Sequence, residues 1–402
     1  MTLERHHAGI VALAAGLFLL VAWHDLTQTH VQQYTLLAES FLAGRLDLAE
    51  PLDPTDEPAR HGGRSYLPLG PAPALVLVPF VALARAGGVF FLQGYLNLPL
   101  VVAVLALAAA LARRAGWAPP EAFVLGFALV FASCFVGVAA IPISNYFGHV
   151  VVVALVLLAL LEHLGRQRGW VVGMLLAAAL ASRLTAGIGA VFFALDVGLD
   201  ASRPPRRRIA YLLQLALPMG AALLGLLAYD AARFGDPFET GYALQAVLDP
   251  EQRRARALGL THWRHVPGNL YYLLLALPQP VFAEGTRSVM RPPFLRPGAW
   301  GLSVFATSPW LLWLFALRPS DRRSGSLLAA ALATAVALCF TWSMGYAQFG
   351  YRFSLDFLPY LYLLLLAGLR ERGPALPRGF AAVVIASACA NAWLLEVYLR
   401  GA

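Results

Sequence analysis

Long apolar runs separated by short polar loops recur along almost the whole chain. They lie at residues 8–23, 90–112, 120–140, 146–164, 170–198, 208–229, 300–317, 325–345, 353–369 and 376–398. A helix that crosses a membrane needs about 20 apolar residues, so each run is a candidate span. Because Ser182 and Arg183 interrupt the run at 170–198, we expect two short helices there, with Arg183 at the turn. The pattern predicts an all-α integral membrane protein with about eleven transmembrane helices.

The composition excludes a soluble globular protein. Of the 402 residues, 59% are hydrophobic and 13% are charged, and the mean hydropathy is +0.66. A soluble protein carries about 25% charged residues. Because apolar runs extend from residue 8 to residue 398, we interpret residues 1–402 as a single polytopic transmembrane domain. No small-x-small cleavage pattern follows the first run, so we expect that run to be an uncleaved span.

The basic residues predict how the chain is oriented. All 30 are arginine, and they lie mostly in short loops between the apolar runs. Short cytoplasmic loops carry an excess of basic residues. When the N-terminus is placed in the cytoplasm, every short loop with two or more arginines is cytoplasmic. The net charge of +8 does not indicate a nucleic-acid partner, because the arginines do not share one solvated face.

The acidic residues have the opposite distribution. Fourteen of the 22 Asp and Glu residues lie in two long loops, residues 24–69 and 230–299, or at Asp356. All of these positions are on the outer side in this topology. Arginine alone sets the orientation, so the clustered acids need another reason, and a reaction site on the outer face is one.

Both outer loops contain segments that we expect to lie on the membrane surface. Residues 31–42 carry an apolar stripe that is typical of an interfacial helix. The opposite, polar face consists of Gln32, Gln33, Thr35, Glu39 and Ser40. Thr29 begins a capping-box pattern, and Gly44 is the expected end of this helix. The run at 71–84 is too short to cross comfortably, so we expect a re-entrant or tilted segment. The apolar stretch at 267–278 is also expected at the interface.

Several stretches along the chain carry a resemblance to a known group of enzymes. They are YTLLAESFLAGRLDL (34–48), GGRSYLPLGPAPALVLVPF (62–80), ALASRLTAGIGA (179–190), LLAYDAARFGDPFETGY (226–242) and QFGYRFSLDFLPYL (348–361). Together, in this order, they resemble polytopic glycosyltransferases of the GT-C fold, which include protein O-mannosyltransferases and lipid A aminoarabinose transferases. The resemblance implies a bacterial inner-membrane enzyme that takes a sugar from a polyprenyl-phosphate carrier on the outer face and passes it to an acceptor. It also implies an acidic base near the start of the first outer loop.

The chain departs from the family's pattern at this base. Family members often carry Asp-Glu three to four residues before the tyrosine that matches Tyr34, and here His30 and Val31 stand there. The nearest acid is Asp25, which we predict to be the base; the alternative is an interfacial acid that caps a helix or pairs with arginine. His30 and His149 are alternative bases, because an unperturbed histidine titrates near neutral pH, or else structural hydrogen-bonding residues.

Transfer from a sugar phosphate also needs positive charge that stabilises the leaving phosphate. Arg352 is the predicted phosphate ligand, because a guanidinium matches phosphate oxygens and this one lies just outside a span. Asp356 lies one turn further on, and we expect it to orient Arg352 through an (i, i+4) pair. Arg183 is the second phosphate-binding candidate. The alternatives are a purely structural pair of Arg352 with Asp356 and an Arg183 that only snorkels.

Four residues of the outer loops are further substrate-binding candidates. We expect Arg64 and Tyr66 to line the donor or acceptor groove, and Glu239 and Tyr242 to face the cavity behind a turn at 234–237. Ordinary loop packing is the alternative for each. The outer-loop acids do not cluster as metal ligands do, and the histidines lack H-x-x-x-H spacing, so we expect no metal and no other cofactor.

These observations together predict a membrane glycosyltransferase that uses a polyprenyl-phosphate sugar by direct displacement with inversion. The acceptor is left open among protein, lipid and glycan. One alternative is a transporter or flippase for a lipid-linked or anionic substrate, although the acids and large loops on one face argue against the paired halves of a transporter. Another is a non-catalytic membrane protein with the same fold.

Overall fold

The computed structural model describes residues 26–27, 31–49, 52, 56–318 and 321–401, and the chain folds mainly into helices. The α-helices are α1 (Gln33–Leu42), α2 (Ala72–Ala86), α3 (Asn97–Arg114), α4 (Pro119–Phe131), α5 (Phe135–Ala140), α6 (Ser144–Leu164), α7 (Gly169–Ser182), α8 (Ala190–Gly198), α9 (Pro205–Phe234), α10 (Pro250–Ala257), α11 (Val266–Leu274), α12 (Val304–Thr307), α13 (Arg322–Cys339), α14 (Leu358–Arg372) and α15 (Phe380–Leu399). The 3₁₀ helices are Gln93–Leu96, Leu184–Gly189, Trp263–His265, Pro309–Ala316 and Arg352–Asp356. Asp25, His30 and the predicted span at 8–23 lie outside the described residues.

Within the described part of the chain, four helices are long and apolar enough to cross a membrane. They are Gln93–Arg114, which joins a 3₁₀ turn to α3, together with α6, α9 and α15. The shorter apolar helices are α2, α4, α7 and the segment Leu184–Gly198. These lengths agree with a multi-pass membrane protein, while the number of about eleven spans is not confirmed and stays a prediction.

The predicted break in the run at 170–198 is confirmed. Helix α7 ends at Ser182, and Arg183 is extended, with φ −152° and ψ 117°. The chain then resumes as the 3₁₀ helix Leu184–Gly189, which leads directly into α8. A charged side chain in the middle of an apolar run is thus accommodated outside regular helix.

Two other runs are less regular than the pattern predicted. The run at 120–140 was expected as one span, but it forms α4 and α5 with a break between them. At the break the Ser133 hydroxyl accepts a hydrogen bond from the Phe135 N–H, 3.1 Å away, and so begins a new helix. The run at 300–317 forms the short helix α12 and a 3₁₀ helix that begins at Pro309, a residue that cannot continue the preceding helix.

Helix α1 differs from the expected interfacial helix. It ends as predicted, because Gly44 has a φ of 68° and the Arg45 N–H donates to the Ser40 carbonyl over 2.8 Å. Its polar face, however, is not solvated. The buried residues of that face are Gln32, Gln33, Thr35 and Ser40. The prediction of a helix lying on the surface is wrong, because this face packs into the protein, where the Gln33 amide donates to the Asp56 carbonyl over 2.6 Å.

The two outer loops also contain β-structure, which the all-α prediction missed. Strands β1 (Ala59–His61) and β2 (Arg64–Tyr66) form one antiparallel hairpin, and β3 (Gln279–Phe282) and β4 (Met290–Arg296) form another. The first hairpin pairs with the second loop as well, since the Ala246 N–H donates to the Pro58 carbonyl over 2.9 Å and the Arg60 N–H donates to the Leu244 carbonyl over 3.2 Å. The two loops therefore meet on one side of the molecule.

The main hydrophobic core lies where α3, α4, α6 and α14 meet. Two large aromatic residues in it have hydrogen-bonded polar atoms. The Trp117 indole donates to the Leu366 carbonyl over 3.1 Å, and the Tyr362 hydroxyl donates to the Ala108 carbonyl over 3.1 Å. Buried tyrosine and tryptophan need such partners, and here the bonds join α14 to α3 and to the loop before α4. This rigid centre supports the helix ends that form the site described next.

Candidate active site

A cavity of about 510 Å³ opens where the two outer loops meet the ends of α7, α9 and α13. That volume is within the range of small-molecule sites. Its ionisable lining includes two acids, three arginines and two tyrosines. These are Glu57, Asp230, Arg183, Arg233, Arg352, Tyr229 and Tyr242. A cavity with this lining can hold a ligand that carries negative charge.

Arg183 reaches the cavity from the break after α7. Its Nε donates to both carboxylate oxygens of Asp356, at 2.8 Å and 3.1 Å. The Thr185 hydroxyl donates to the same carboxylate. Asp356 is fully buried, so these bonds provide the partners that a buried charge requires. Because these hydrogen bonds to Asp356 use Nε of Arg183, the two terminal guanidinium nitrogens can serve as donors for a ligand.

The predicted pair between Arg352 and Asp356 is wrong. Residues Arg352–Asp356 form a 3₁₀ helix and not an α-helix, so residues four apart do not lie one above the other. The Arg352 Nη1 donates instead to the Gln348 Oε1 over 2.8 Å. Within residues 31–49, 56–318 and 321–401, no carboxylate lies within 4.0 Å of the Arg352 guanidinium. Arg352 therefore brings a positive charge to the cavity that no described acid neutralises.

Phe353 lies between the two arginines. Each guanidinium carbon, of Arg183 and of Arg352, is 5.0 Å from the centre of the Phe353 ring. Arg352 is also 5.0 Å from the Tyr146 ring. An aromatic face attracts a cation at such distances, so Phe353 holds two like charges near each other. Two guanidinium groups on the same wall of a cavity form a site for an anion.

His149 does not line the cavity. Its imidazole is fully buried, and its Nδ1 lies 3.4 Å from Oδ1 of Asp356. The ring also stacks on Phe353, 5.8 Å between centres. The position is suited to supporting Asp356 rather than to contacting a substrate.

Of the four outer-loop candidates, only Tyr242 lines the cavity. Arg64 lies on β2, with 66% of its side chain exposed and its nearest carboxylate, Asp47, 3.8 Å away. Tyr66 packs edge-on against Phe234, 5.2 Å between ring centres. Glu239 accepts a hydrogen bond from the Gly241 N–H over 2.7 Å and so closes a turn. Arg64, Tyr66 and Glu239 therefore have the positions expected for ordinary loop packing, which was the alternative to a substrate-binding role.

Sequence reasoning missed two acids and one arginine of the cavity. Asp230 pairs with Arg233 on the last turn of α9, and Arg233 Nη1 donates to the Leu67 carbonyl over 2.7 Å. Glu57, in the first outer loop, accepts a hydrogen bond from the Leu248 N–H over 2.8 Å. Burial raises the pKa of Glu57 above its usual value. The excess of acids in the outer loops pointed to these loops, but it did not distinguish the residues that turn inward.

One wall of the cavity is apolar. It is formed by leucines of α7, α9 and α13 and by Leu184, which is 50% exposed. These leucines include Leu180, Leu223, Leu226, Leu227 and Leu338. The cavity therefore has charged side chains on one side and an apolar wall on another. This arrangement suits an amphipathic ligand.

Comparison with known proteins relates the fold to two membrane transferases. No family model matches the sequence, and no curated protein matches it. The structure is similar to that of ArnT from Cupriavidus metallidurans bound to undecaprenyl phosphate, with a TM-score of 0.53, 14% identity, and coverage of 95% of this chain and 63% of that one. It is also similar to the oligosaccharyltransferase of Archaeoglobus fulgidus, with a TM-score of 0.50, 13% identity, and coverage of 97% and 55%. This chain thus spans less than two thirds of either protein. The similarity covers nearly all of this chain, and the chain therefore has the GT-C fold that these two transferases share.

Proposed function

We propose that the chain is a membrane glycosyltransferase that moves a sugar from a polyprenyl-phosphate carrier to an acceptor on the outer face of the bacterial inner membrane. The observation that carries the proposal is the pair of guanidinium groups, Arg183 and Arg352, on the wall of a cavity that also has an apolar side. A polyprenyl phosphate combines an anionic head with a long apolar tail, and the cavity offers a partner for each.

In this proposal the two arginines bind the phosphate. Asp356 fixes the Arg183 side chain through Nε, while Arg352 keeps a charge with no described counter-ion. Guanidinium donors aimed at the phosphate stabilise the negative charge that develops as the bond to the sugar breaks. His149 and Asp356 act behind this pair as positioning residues, and Tyr242 lines the same space. The solved complex of ArnT with undecaprenyl phosphate supports this assignment by similarity of fold.

The leucine wall accommodates the isoprenoid tail. Leu184, Leu223 and Leu227 line the same cavity as the arginines, so in this proposal the tail leaves toward the lipid while its phosphate stays at the guanidinium groups. Such an arrangement fixes the anomeric carbon close to the outer loops. The acceptor then enters from the aqueous side, where Glu57 and Tyr242 lie.

The chemistry is a single displacement with inversion. The acceptor oxygen forms a bond to the anomeric carbon, the bond from that carbon to the phosphate oxygen breaks, and polyprenyl phosphate leaves. A carboxylate takes the acceptor proton, and we propose Asp25 for this role. Glu57 is a second carboxylate that borders the cavity, so it is tested beside Asp25.

The test is turnover by the purified chain in proteoliposomes that contain undecaprenyl-phosphate sugars, with release of undecaprenyl phosphate measured by mass spectrometry. Arg183→Ala and Arg352→Ala are expected to lower turnover about 100-fold or more. Arg264→Ala is the matched control, because Arg264 lies in an outer loop and stacks on Trp263, 5.8 Å from its ring centre, without bordering the cavity. Asp25→Asn and Glu57→Gln identify the base.

Binding of undecaprenyl phosphate is measured in parallel, because the sugar and the acceptor are not identified. The two arginine variants should lose the bound lipid, and Arg264→Ala should keep it. Transfer of intact sugar-lipid across the bilayer without release of the phosphate would support a flippase instead. Equal lipid retention by all three variants would contradict the phosphate site itself.

A further inference from the structure

A second cavity, of about 450 Å³, lies at the opposite ends of α6 and α7 from the candidate active site. It is formed by the last turn of α3, the end of α6 and the beginning of α7. Helix α7 has 14 residues and ends at Ser182, so its two ends, one at each cavity, are about 20 Å apart along its axis. This separation places them near opposite faces of a bilayer.

Three arginines surround this second cavity. They are Arg114, Arg166 and Arg168, and the acid beside them is Glu162. Arg168 donates to both oxygens of Glu162, at 2.8 Å and 2.9 Å, so this pair is neutral as a unit. Arg114 and Arg166 have no carboxylate within 4.0 Å in the described ranges of the chain. Two unbalanced positive charges therefore face the same space.

Arg114 is held in place by the end of α6. Its Nε donates to the Leu164 carbonyl over 3.1 Å. A Cβ at Gly165 would lie 2.3 Å from the Arg114 Nη2, so only a glycine allows the guanidinium to lie flat against the chain here. Arg114 lines the cavity in this position. The hydrogen bond to the Leu164 carbonyl holds the Arg114 side chain in one position, whereas Arg113 is an exposed side chain outside the cavity.

The remaining wall of the cavity is apolar and continues along the surface of the helices. Leu158, Leu161, Val171 and Leu175 form it. Trp170 lies beside it, with 54% of its surface exposed. Exposed tryptophan is typical of the membrane–water interface, which sets the depth of the arginines at the level of lipid headgroups. A free anion would make no use of the leucine wall.

We propose that this second cavity binds the headgroup of an anionic phospholipid, in the leaflet opposite to the candidate active site. The phosphodiester lies between Arg114 and Arg166, and the acyl chains follow the surface of Leu158 and Leu175. Basic pockets between membrane helices bind anionic lipids in this way. The proposal does not depend on the proposed transferase activity, because it concerns other residues and another face.

The test measures lipid retention by native mass spectrometry of the whole protein, purified in mixed micelles of phosphatidylglycerol and phosphatidylcholine. The parent should retain phosphatidylglycerol in preference. Arg114→Gln with Arg166→Gln should weaken that retention about fivefold for each arginine removed. The matched control is Arg113→Gln with Arg207→Gln, which removes the same charge from exposed positions outside the cavity and should retain the lipid as the parent does.

A charge-neutral variant separates the site from general surface charge. Gly165→Ala displaces the Arg114 guanidinium without altering net charge, and it should also lower the retention of phosphatidylglycerol. Added inorganic phosphate should not displace the lipid, because phosphate lacks the apolar contacts. Equal losses in the cavity variant and in the exposed control would overturn the proposal, and so would full displacement by phosphate or parent-like retention in both cavity variants.

Discussion

Asp356 is the residue on which the charges of the candidate active site depend. It accepts hydrogen bonds from Arg183 and Thr185, and His149 lies 3.4 Å away. A carboxylate with no exposed surface is retained only when its partners compensate the lost hydration. Because Arg183 is the ion-pair partner among them, Asp356 decides both the direction of that guanidinium and whether its charge can be buried.

Replacing this carboxylate should therefore damage stability and ligand binding together. We expect Asp356→Asn to lower the free energy of unfolding by about 3–5 kcal/mol, because Arg183 is left as an uncompensated buried cation. Thermal unfolding in detergent measures the loss, and undecaprenyl phosphate binding reports the site. Glu396→Gln is the control, since its pair with Arg400 is exposed, with 41% and 77% of the two side chains accessible, and should leave the unfolding temperature unchanged. Equal effects of the two changes would contradict the role given to Asp356.

Glu57 gives a prediction about pH. Burial raises the pKa of its carboxyl group in the folded protein, so the folded state holds this proton more strongly than the unfolded chain. The stability of the fold then falls as the pH rises through the raised pKa, because the ionised carboxylate is less favourable when buried. Glu57→Gln keeps the acceptor for the Leu248 N–H and removes the charge. We expect the variant to unfold at a higher temperature than the parent near pH 8 and at about the same temperature near pH 4.

The control for this experiment is Glu251→Gln, the loss of one carboxylate from the exposed start of α10. It should not reproduce the difference between the two pH values. A Glu57→Gln protein that is less stable than the parent near pH 8 would mean that the ionised carboxylate stabilises the fold, and burial would not be the dominant influence on this group.

Single functional residues were predictable where the sequence places a charged side chain within or beside an apolar run, because a charge is unfavourable there. Arg183 interrupts an apolar run and Arg352 lies at the edge of one, and a charge at such a position needs a reason. Their partners were not predictable, because Asp356 and Arg183 are 173 positions apart and a charge pair within one helix was the simpler expectation. Glu57 was missed because an acid in a polar loop looks the same whether it faces water or a cavity.

At the scale of elements, a buried polar cluster joins four helices at the far end of the molecule. The His163 Nδ1 lies 2.7 Å from the Tyr211 hydroxyl, and its Nε2 lies 2.9 Å from the Asp196 carboxylate. Arg322 approaches the same carboxylate at 3.3 Å. The cluster links α6, α8, α9 and α13. One ring nitrogen of His163 contacts Tyr211 on α9, and the other contacts Asp196 on α8. This single side chain of α6 therefore links α6 to both helices.

We expect His163→Leu to lower stability without affecting the candidate active site. The change removes the histidine partner of the Tyr211 hydroxyl and of one Asp196 oxygen. Each buried polar group that loses its partner lowers the free energy of unfolding by about 1–3 kcal/mol. Asn145 borders the active-site cavity, and along α6 it is about 27 Å from His163. The unfolding temperature should therefore fall while undecaprenyl phosphate retention stays at the parent value. Tyr211→Phe removes one of the two contacts and should have a smaller effect.

Elements were predictable from the sequence where a charged residue or a glycine marked their ends. The break at Arg183 and the end of α1 at Gly44 are of this kind. The break between α4 and α5 lies at Ser133, where no charge or proline marks it. The hairpins were missed because each strand of the first has 3 residues, too few for alternation of polar and apolar positions to be recognised.

At the scale of the whole molecule, the fold separates two environments. The two outer loops, their acids and the candidate active site lie at one end of α6 and α7, and the second cavity with its arginines lies at the other. The distribution of arginine and acid along the chain predicted this separation. The short loops rich in arginine were expected on one face of the membrane and the two long acidic loops on the other. Which end faces the cytoplasm stays a prediction, as does the number of spans.

The pairing of the two outer loops gives a direct test of this arrangement. Ala59 and Gln245 face each other in an isolated antiparallel bridge, and the flanking hydrogen bonds make them a non-hydrogen-bonded pair. The Cα atoms of such a pair are about 4.5 Å apart, which is within the range of a disulfide. We expect Ala59→Cys with Gln245→Cys, in a Cys389→Ser background that removes the exposed native thiol, to form a disulfide under mild oxidation, with the linked tryptic peptides detected by mass spectrometry.

Ala59→Cys with Ala246→Cys is the control and should cross-link poorly, because residue 246 points to the opposite face of the strand. If the matched pair fails to cross-link in membranes where the double variant is present at the level of the parent, the loops do not meet, and the cavity that they cover is not formed as described.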